Sequence, residues 1–234
     1  MTEWAMKRFW KAASCKRVDE GFAIFLDERS VKTPAKCGLI VPTEEMGTKV
    51  AAEWDAQGEK IDPAAMPWTR SANAAIDKVA HQRQEVRDHL AGYAETDLVC
   101  YRADGPKPLS ARQAAAWDPL IAWVAETYDA HLQVTVGVMP IAQSQEDVAR
   151  LTTAMAPMSE FQMTGFYDLV SLSGSFVLAL AATESWAPAE DLWGFSKIDE
   201  HWQIEQWGED EEAAEDEKLK KQAFYHALAF YQSA

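Results

Sequence analysis

Apolar positions alternate with other residues in the first third of the chain and recur with a helical period in the remainder. In GFAIFLDERSVKTPAKCGLIVPT, Phe22, Ile24 and Leu26 fall on alternate positions, which predicts a strand. Residues 27–30 turn the chain, residues 31–33 resume an extended run, and residues 39–41 make a third short strand closed by Pro42. The period then changes. Thr43 is a good helix N-cap, with Glu44 and Glu45 in the first turn. Met46, Val50 and Trp54 recur at four-residue spacing, and Gly58 marks the end. After IDPAAMPWT, the stripe Ala72, Ile76, Val79, Val86 and Leu90 predicts a longer helix over about residues 69–91.

Asp104, Gly105, Pro106 and Pro108 mark a loop, and from there the pattern is helical to the end. Ser110 with Gln113 reads as a capping box. Asp118 with Pro119 predicts the start of a helix over residues 120–130. Ser144 with Asp147 predicts another, ending near Pro157. The segment GFYDLVSLSGSFVLALAAT is the most apolar. Its uncharged stretch, residues 169–183, is 15 residues long, too short to span a bilayer. It reads as a buried central helix, with Ser171, Ser173, Gly174 and Ser175 allowing close packing. Pro188 opens the helix that carries DEHWQIEQWGED, and a last helix covers about residues 218–232. The expected fold class is therefore α+β, with a small N-terminal α+β domain over residues 1–90 and an all-helical C-terminal domain over residues 91–234.

Charge distinguishes the two regions further. The formal net charge is −15; residues 1–110 hold 16 Lys+Arg against 17 Asp+Glu, and residues 111–234 hold 6 against 20. So acidic a half repels phosphates, which argues against nucleic acid and an anionic membrane as partners. It attracts a basic protein surface, or serves solubility alone. Cys15, Cys37 and Cys100 form no C-x-x-C pattern, so neither a disulfide framework nor a zinc site follows, and a reducing compartment fits. The opening MTEWAMKRFWKAAS lacks the apolar core of a signal peptide. These features predict a cytoplasmic protein without membrane insertion.

Familiar catalytic motifs are missing: there is no G-x-G-x-x-G, P-loop, G-x-S-x-G or H-E-x-x-H. His81, His89, His131, His201 and His226 are scattered and read as surface or capping residues. In TDLVCYR, Cys100 lies in an apolar run and reads as a buried thiol, and Asp97 with Arg102 reads as a structural ion pair. The stretch DEHWQIEQWGEDEEAAEDE is less ordinary. On a helix, Asp199, Trp202, Gln206 and Glu209 share one face, and Glu200, Gln203, Ile204 and Trp207 another. Trp202 and Trp207 lie about 140° apart around the axis. This helix is therefore expected to be touched on two sides, by its own domain and by either the final helix or a partner. Glu205 lies between the tryptophans, and residues 209–217 read as a solvated face or loop.

RFWK, LDERSVKTPAK, AAEWDAQ, DPAAMPWTRSANAAID, TDLVCYRA, WDPL and DEHWQIEQWGED occur in that order. The set, spread over nearly the whole chain, resembles the assembly chaperone of F-type ATP synthase that binds the α subunit of the catalytic head. It looks like a short bacterial member, since the extra N-terminal sequence of mitochondrial members is missing. The resemblance implies a two-domain chaperone without catalysis or cofactor. It would hold the free α subunit, shielding its β-subunit interface until assembly. Acidic positions in that family's C-terminal domain are linked to activity. The match to WQ-x-E-x-WG carries this expectation to Glu205, and after it to Glu200 and Glu209, with Trp202 and Trp207 shaping the surface. Cys37 departs from a position expected to be polar. No heptad seam appears, so a monomer is expected. Two other readings stay open: an enzyme with a carboxylate-lined cleft between the two domains, where Asp97, Arg102 and Glu205 converge, and a general acidic adaptor.

Overall fold

In a computed structural model describing residues 7–234, two antiparallel strands open the chain. Residues 1–6, where the segment read for a targeting signal begins, lie outside the described residues. Strand β1 (Ala13–Val18) pairs with β2 (Gly21–Leu26), placing Cys15 opposite Ile24. β1 was not expected. Its polar, half-exposed ASCKRV has no apolar alternation to reveal it, and it is defined by its partner. Asp27 adopts a left-handed φ of 52° and turns the chain into β3 (Arg29–Ser30), which was expected to be part of the turn. β4 (Ile40–Val41) pairs with β2 as well. Helix α1 (Glu44–Asp55) starts at the predicted cap: the Thr43 hydroxyl accepts from the Met46 amide. Met46 and Val50 are fully buried. Gly47 lets α1 approach β1, since a Cβ there would lie 2.3 Å from the Cys15 sulfur.

The long helix expected over residues 69–91 is divided. Helix α2 (Pro67–Ala74) passes into a π-helical turn (Ala75–Val79), and α3 (Arg83–Glu95) starts separately. At the turn, Asp77 accepts from the Thr33 hydroxyl at 2.6 Å and the Ala35 amide at 3.0 Å, a long-range anchor that helical periodicity does not encode.

Two units describe the chain. The first runs to Arg83 and takes in residues 159–165 and 229–234. Its core joins Ile24, Leu39, Val41, Met46, Val50 and Ala72 with Phe161 and Phe230 from those later segments. A fully buried Val, Leu, Ile or Phe contributes about 1.5–3 kcal/mol, so these two aromatics are substantial parts of the unit.

The second unit holds residues 84–158 and 166–228. A 3-10 turn (Leu98–Cys100) leads to β5 (Tyr101–Arg102), which pairs in parallel with β6 (Thr135–Val136). Between them, α4 (Lys107–Tyr128) is one continuous helix with Pro119 inside it. The expected capping box and the helix start at Pro119 are therefore corrected. Gln113 is buried, and Asp118 bonds Arg102 instead of capping. Helix α5 (Gln145–Thr152) does begin as predicted, with the Ser144 hydroxyl accepting from the Asp147 amide.

The apolar segment is buried but is two helices, α6 (Glu160–Ser173) and α7 (Phe176–Thr183). Gly174, at φ 71°, supplies the link, a conformation that costs glycine little. Ser175 then caps α7, whose residues from Phe176 to Ala182 are all buried. Helix α8 (Ala189–Ser196) follows Pro188, but WQIEQW lies on a separate α9 (Ile198–Trp207). The acidic block starts α10 (Glu211–Gln232). Among the described residues, no helix is long and apolar enough to cross a membrane. The α+β class, with strands first and helices after, is the fold observed.

Candidate functional site

Helix α9 has two different sides within the second unit. On one, Gln113 of α4 donates to Asp199 at 2.6 Å, and burial raises the Asp199 pKa. One turn on, the Arg112 guanidinium lies 5.1 Å from the Trp202 ring centroid. The same guanidinium grips Glu205 with two parallel bonds, Nη1 to Oε1 at 2.8 Å and Nη2 to Oε2 at 3.0 Å. The hydrogen bonds from Arg112 hold the Glu205 carboxyl below its ordinary pKa. Trp202 is half-buried and Glu205 exposed, so a charged carboxylate is presented at the surface in a fixed orientation. Arg112 was not foreseen: it is 93 residues from Glu205 in sequence, and no local motif marks it.

On the other side, Ile204 and Trp207 face the first turns of α10 across a groove of about 360 Å³. Trp207 is 79% exposed. Gly208, at φ 90°, ends α9 immediately after it. Glu200 lines this groove and pairs with Lys197 at 3.0 Å. Glu209 is exposed in the short connection to α10. The structure thus brings Trp202 and Glu205 together through Arg112, puts Glu200 and Trp207 at the groove, and leaves Glu209 beside neither cluster. His201, between the sides, contacts Glu217 at 2.8 Å.

The expected Asp97–Arg102 pair does not form. Asp97 is fully buried and accepts from the Ser175 hydroxyl at 2.6 Å and from the amides of Val177 at 2.9 Å and Val99 at 3.1 Å. It braces the N-terminus of α7 and the 3-10 turn at once. Desolvation pushes its pKa up to about 6 against these bonds. Arg102 is buried over the Trp117 ring and pairs with Asp118 at 2.6 Å. Cys100 is buried, and burial first, then Asp97, pushes its thiol up to about 12. Among the described residues, no group of three or more His, Cys, Asp or Glu is placed to hold a metal.

Comparison with known proteins bears on this geometry. The family model described as ATP12 chaperone protein matches residues 7–125. The crystal structure of Atp12 from Paracoccus denitrificans has 42% identity and a TM-score of 0.92, covering 98% of this chain and 99% of that one. An aspartate-to-lysine mutant of the P. denitrificans Atp12p has 41% identity and a TM-score of 0.93, covering 99% of both chains. The mitochondrial protein atp12 of Schizosaccharomyces pombe is 24% identical over 242 aligned positions, 96% of this chain and 82% of that protein. The fold matches that of the solved Atp12 structures over nearly the whole chain. The chain belongs to the ATP12 chaperone family, the ATP synthase assembly chaperones that its ordered motifs resemble.

Proposed function

We propose that the protein is a chaperone of F-type ATP synthase assembly that binds the free α subunit of the catalytic head. It covers the β-subunit interface of α until β replaces it, working in the cytoplasm as a monomer and without catalysis. An orphan subunit exposes an apolar interface that would otherwise aggregate, and a chaperone must cover it reversibly. The observation that carries the reading is the Arg112–Glu205–Trp202 cluster. An ionised carboxylate has about four lone-pair sites. Arg112 occupies one on each oxygen, so Glu205 still has acceptor capacity for a basic or N–H group of α. Trp202 and the nearby Trp207 supply anchors of the type enriched at binding hot spots, and Glu200 and Glu209 add negative field.

The enzyme reading finds less support. A general acid or base works best with a pKa near the working pH, whereas Glu205 is shifted away from it. Asp97, the carboxyl shifted toward neutrality, is fully buried and occupied in capping. Arg102 is committed to Asp118.

The test is co-expression with isolated α and β subunits, followed by pull-down. Wild type should retain α and release it when β is added, and folded Glu205→Lys should retain at least ten-fold less α. Failure of wild type to hold α overturns the reading; unchanged retention by Glu205→Lys removes Glu205 from it. The charge exchange Arg112→Glu with Glu205→Arg supplies a folding control, since it keeps an internal ion pair but reverses what α meets.

A further inference from the structure

We infer that the groove between α9 and the start of α10 docks a peptide segment of the partner that carries a bulky apolar anchor flanked by Lys or Arg. This rests on the chaperone reading and names the chemistry of what the groove receives. Three observations converge on it.

The first is apolar. Ile204, Trp207 and Ala213 line the groove. Trp207 stays 79% exposed although it ends a well-formed helix. A large aromatic left open beside an apolar concavity offers contact area of the kind that anchors binding surfaces. The volume, about 360 Å³, is at the small end of ligand pockets and suits one or two bulky side chains.

The second is electrostatic. Glu200, Asp210, Asp216 and Glu217 surround that apolar floor, against Lys197 and Lys220. Each lysine is already matched, Lys197 to Glu200 at 3.0 Å and Lys220 to Asp216 at 2.7 Å.

The third extends the second. All six Lys and Arg of residues 111–234 form ion pairs: Arg112, Arg150, Lys197, Lys218, Lys220 and Lys221. With 20 acidic residues there, the excess negative charge has no cation of this region left to meet it. A basic segment of the partner would supply positive charge to this surface. A second copy of this chain meeting groove to groove would bring the same acidic surface and be repelled. An amphipathic basic segment satisfies both features, with its apolar stripe in the groove and its cations on the rim.

The test uses the full chain and fluorescence anisotropy with three labelled 14-residue peptides: an amphipathic Lys/Leu helix, its Glu/Leu counterpart and a Lys/Ser peptide of equal charge. The Lys/Leu peptide should bind, the other two at least ten-fold more weakly. Trp207→Ala should weaken the Lys/Leu peptide about ten-fold or more, as for an aromatic anchor. Val138→Ser, at a 93% exposed apolar residue outside the groove, should leave it unchanged. Equal binding of Lys/Ser would make this a general acidic surface and overturn the inference. So would no binding of Lys/Leu, an unaffected Trp207→Ala, or an effect of Val138→Ser in its place. Pull-down of α by wild type separates the two claims. If α is retained while the peptide results are negative, only the groove inference fails. If the peptide behaves as expected while α is not retained, the chaperone reading fails and the groove stands.

Discussion

Replacing Asp97 by asparagine tests whether a fully buried carboxyl titrates as its burial demands. Asp97 is fully buried, and its pKa rises from the ordinary 3.8 to about 6. The folded state therefore keeps a proton that the unfolded chain has already lost. The stabilisation this gives is complete below pH 3.8 and disappears as pH rises through about 6. Linkage puts the loss at about 2 kcal/mol by pH 5 and about 3 kcal/mol by pH 7.5. Asparagine does not titrate. Asp97→Asn should therefore gain about 1 kcal/mol relative to wild type between pH 5 and pH 7.5. Asp97→Ala has no titration either, but it strands the Val99 and Val177 amides and the Ser175 hydroxyl together, whereas asparagine keeps an acceptor oxygen at one of the two carboxylate-oxygen positions. It should lie about 1–3 kcal/mol below the asparagine variant at both pH values. Urea unfolding of the three proteins, followed by circular dichroism, measures these differences. If wild type and Asp97→Asn change in parallel with pH, Asp97 is ionised throughout and the interior is not shifting it.

Gly47→Ala should destabilise by about 1–3 kcal/mol, because the new methyl meets the Cys15 sulfur at 2.3 Å. Adding Cys15→Ala should restore most of this in thermal melts; no rescue would place the strain elsewhere. The three thiols should separate in a timed reaction with an aromatic disulfide reagent. Exposed Cys37 reacts first, Cys15, raised by burial, more slowly, and Cys100 only with unfolding. Rapid labelling of Cys100 in the folded protein would contradict its placement.

The contrast between local and distant information runs through the fold. Thr43 and Ser144 were legible as caps because a hydroxyl three residues before its amide partner is a local relation. The buried apolar segment was legible from composition alone, but its division at Gly174 was not. A glycine serves equally as a close-packing residue and as a left-handed link, and only φ 71° distinguishes the two. The order of the motifs was enough to identify the family, because it depends on no single contact.

Sequence by itself determined the α+β class, the acidic second half and the placing of WQIEQW on a helix with two unlike faces. Periodicity and charge count are sums over neighbours in the chain, so they survive without coordinates. Tertiary structure decided the partners. It brought Arg112 to Glu205 across 93 residues, sent Arg102 to Asp118, and gave Asp97 to the start of α7. It also completed the first unit's core with Phe161 and Phe230. The Arg102 and Asp97 pairings satisfy buried polar groups, the Arg112–Glu205 pair fixes a surface carboxylate, and the two phenylalanines fill apolar volume; a one-dimensional pattern does not record which distant group will be there.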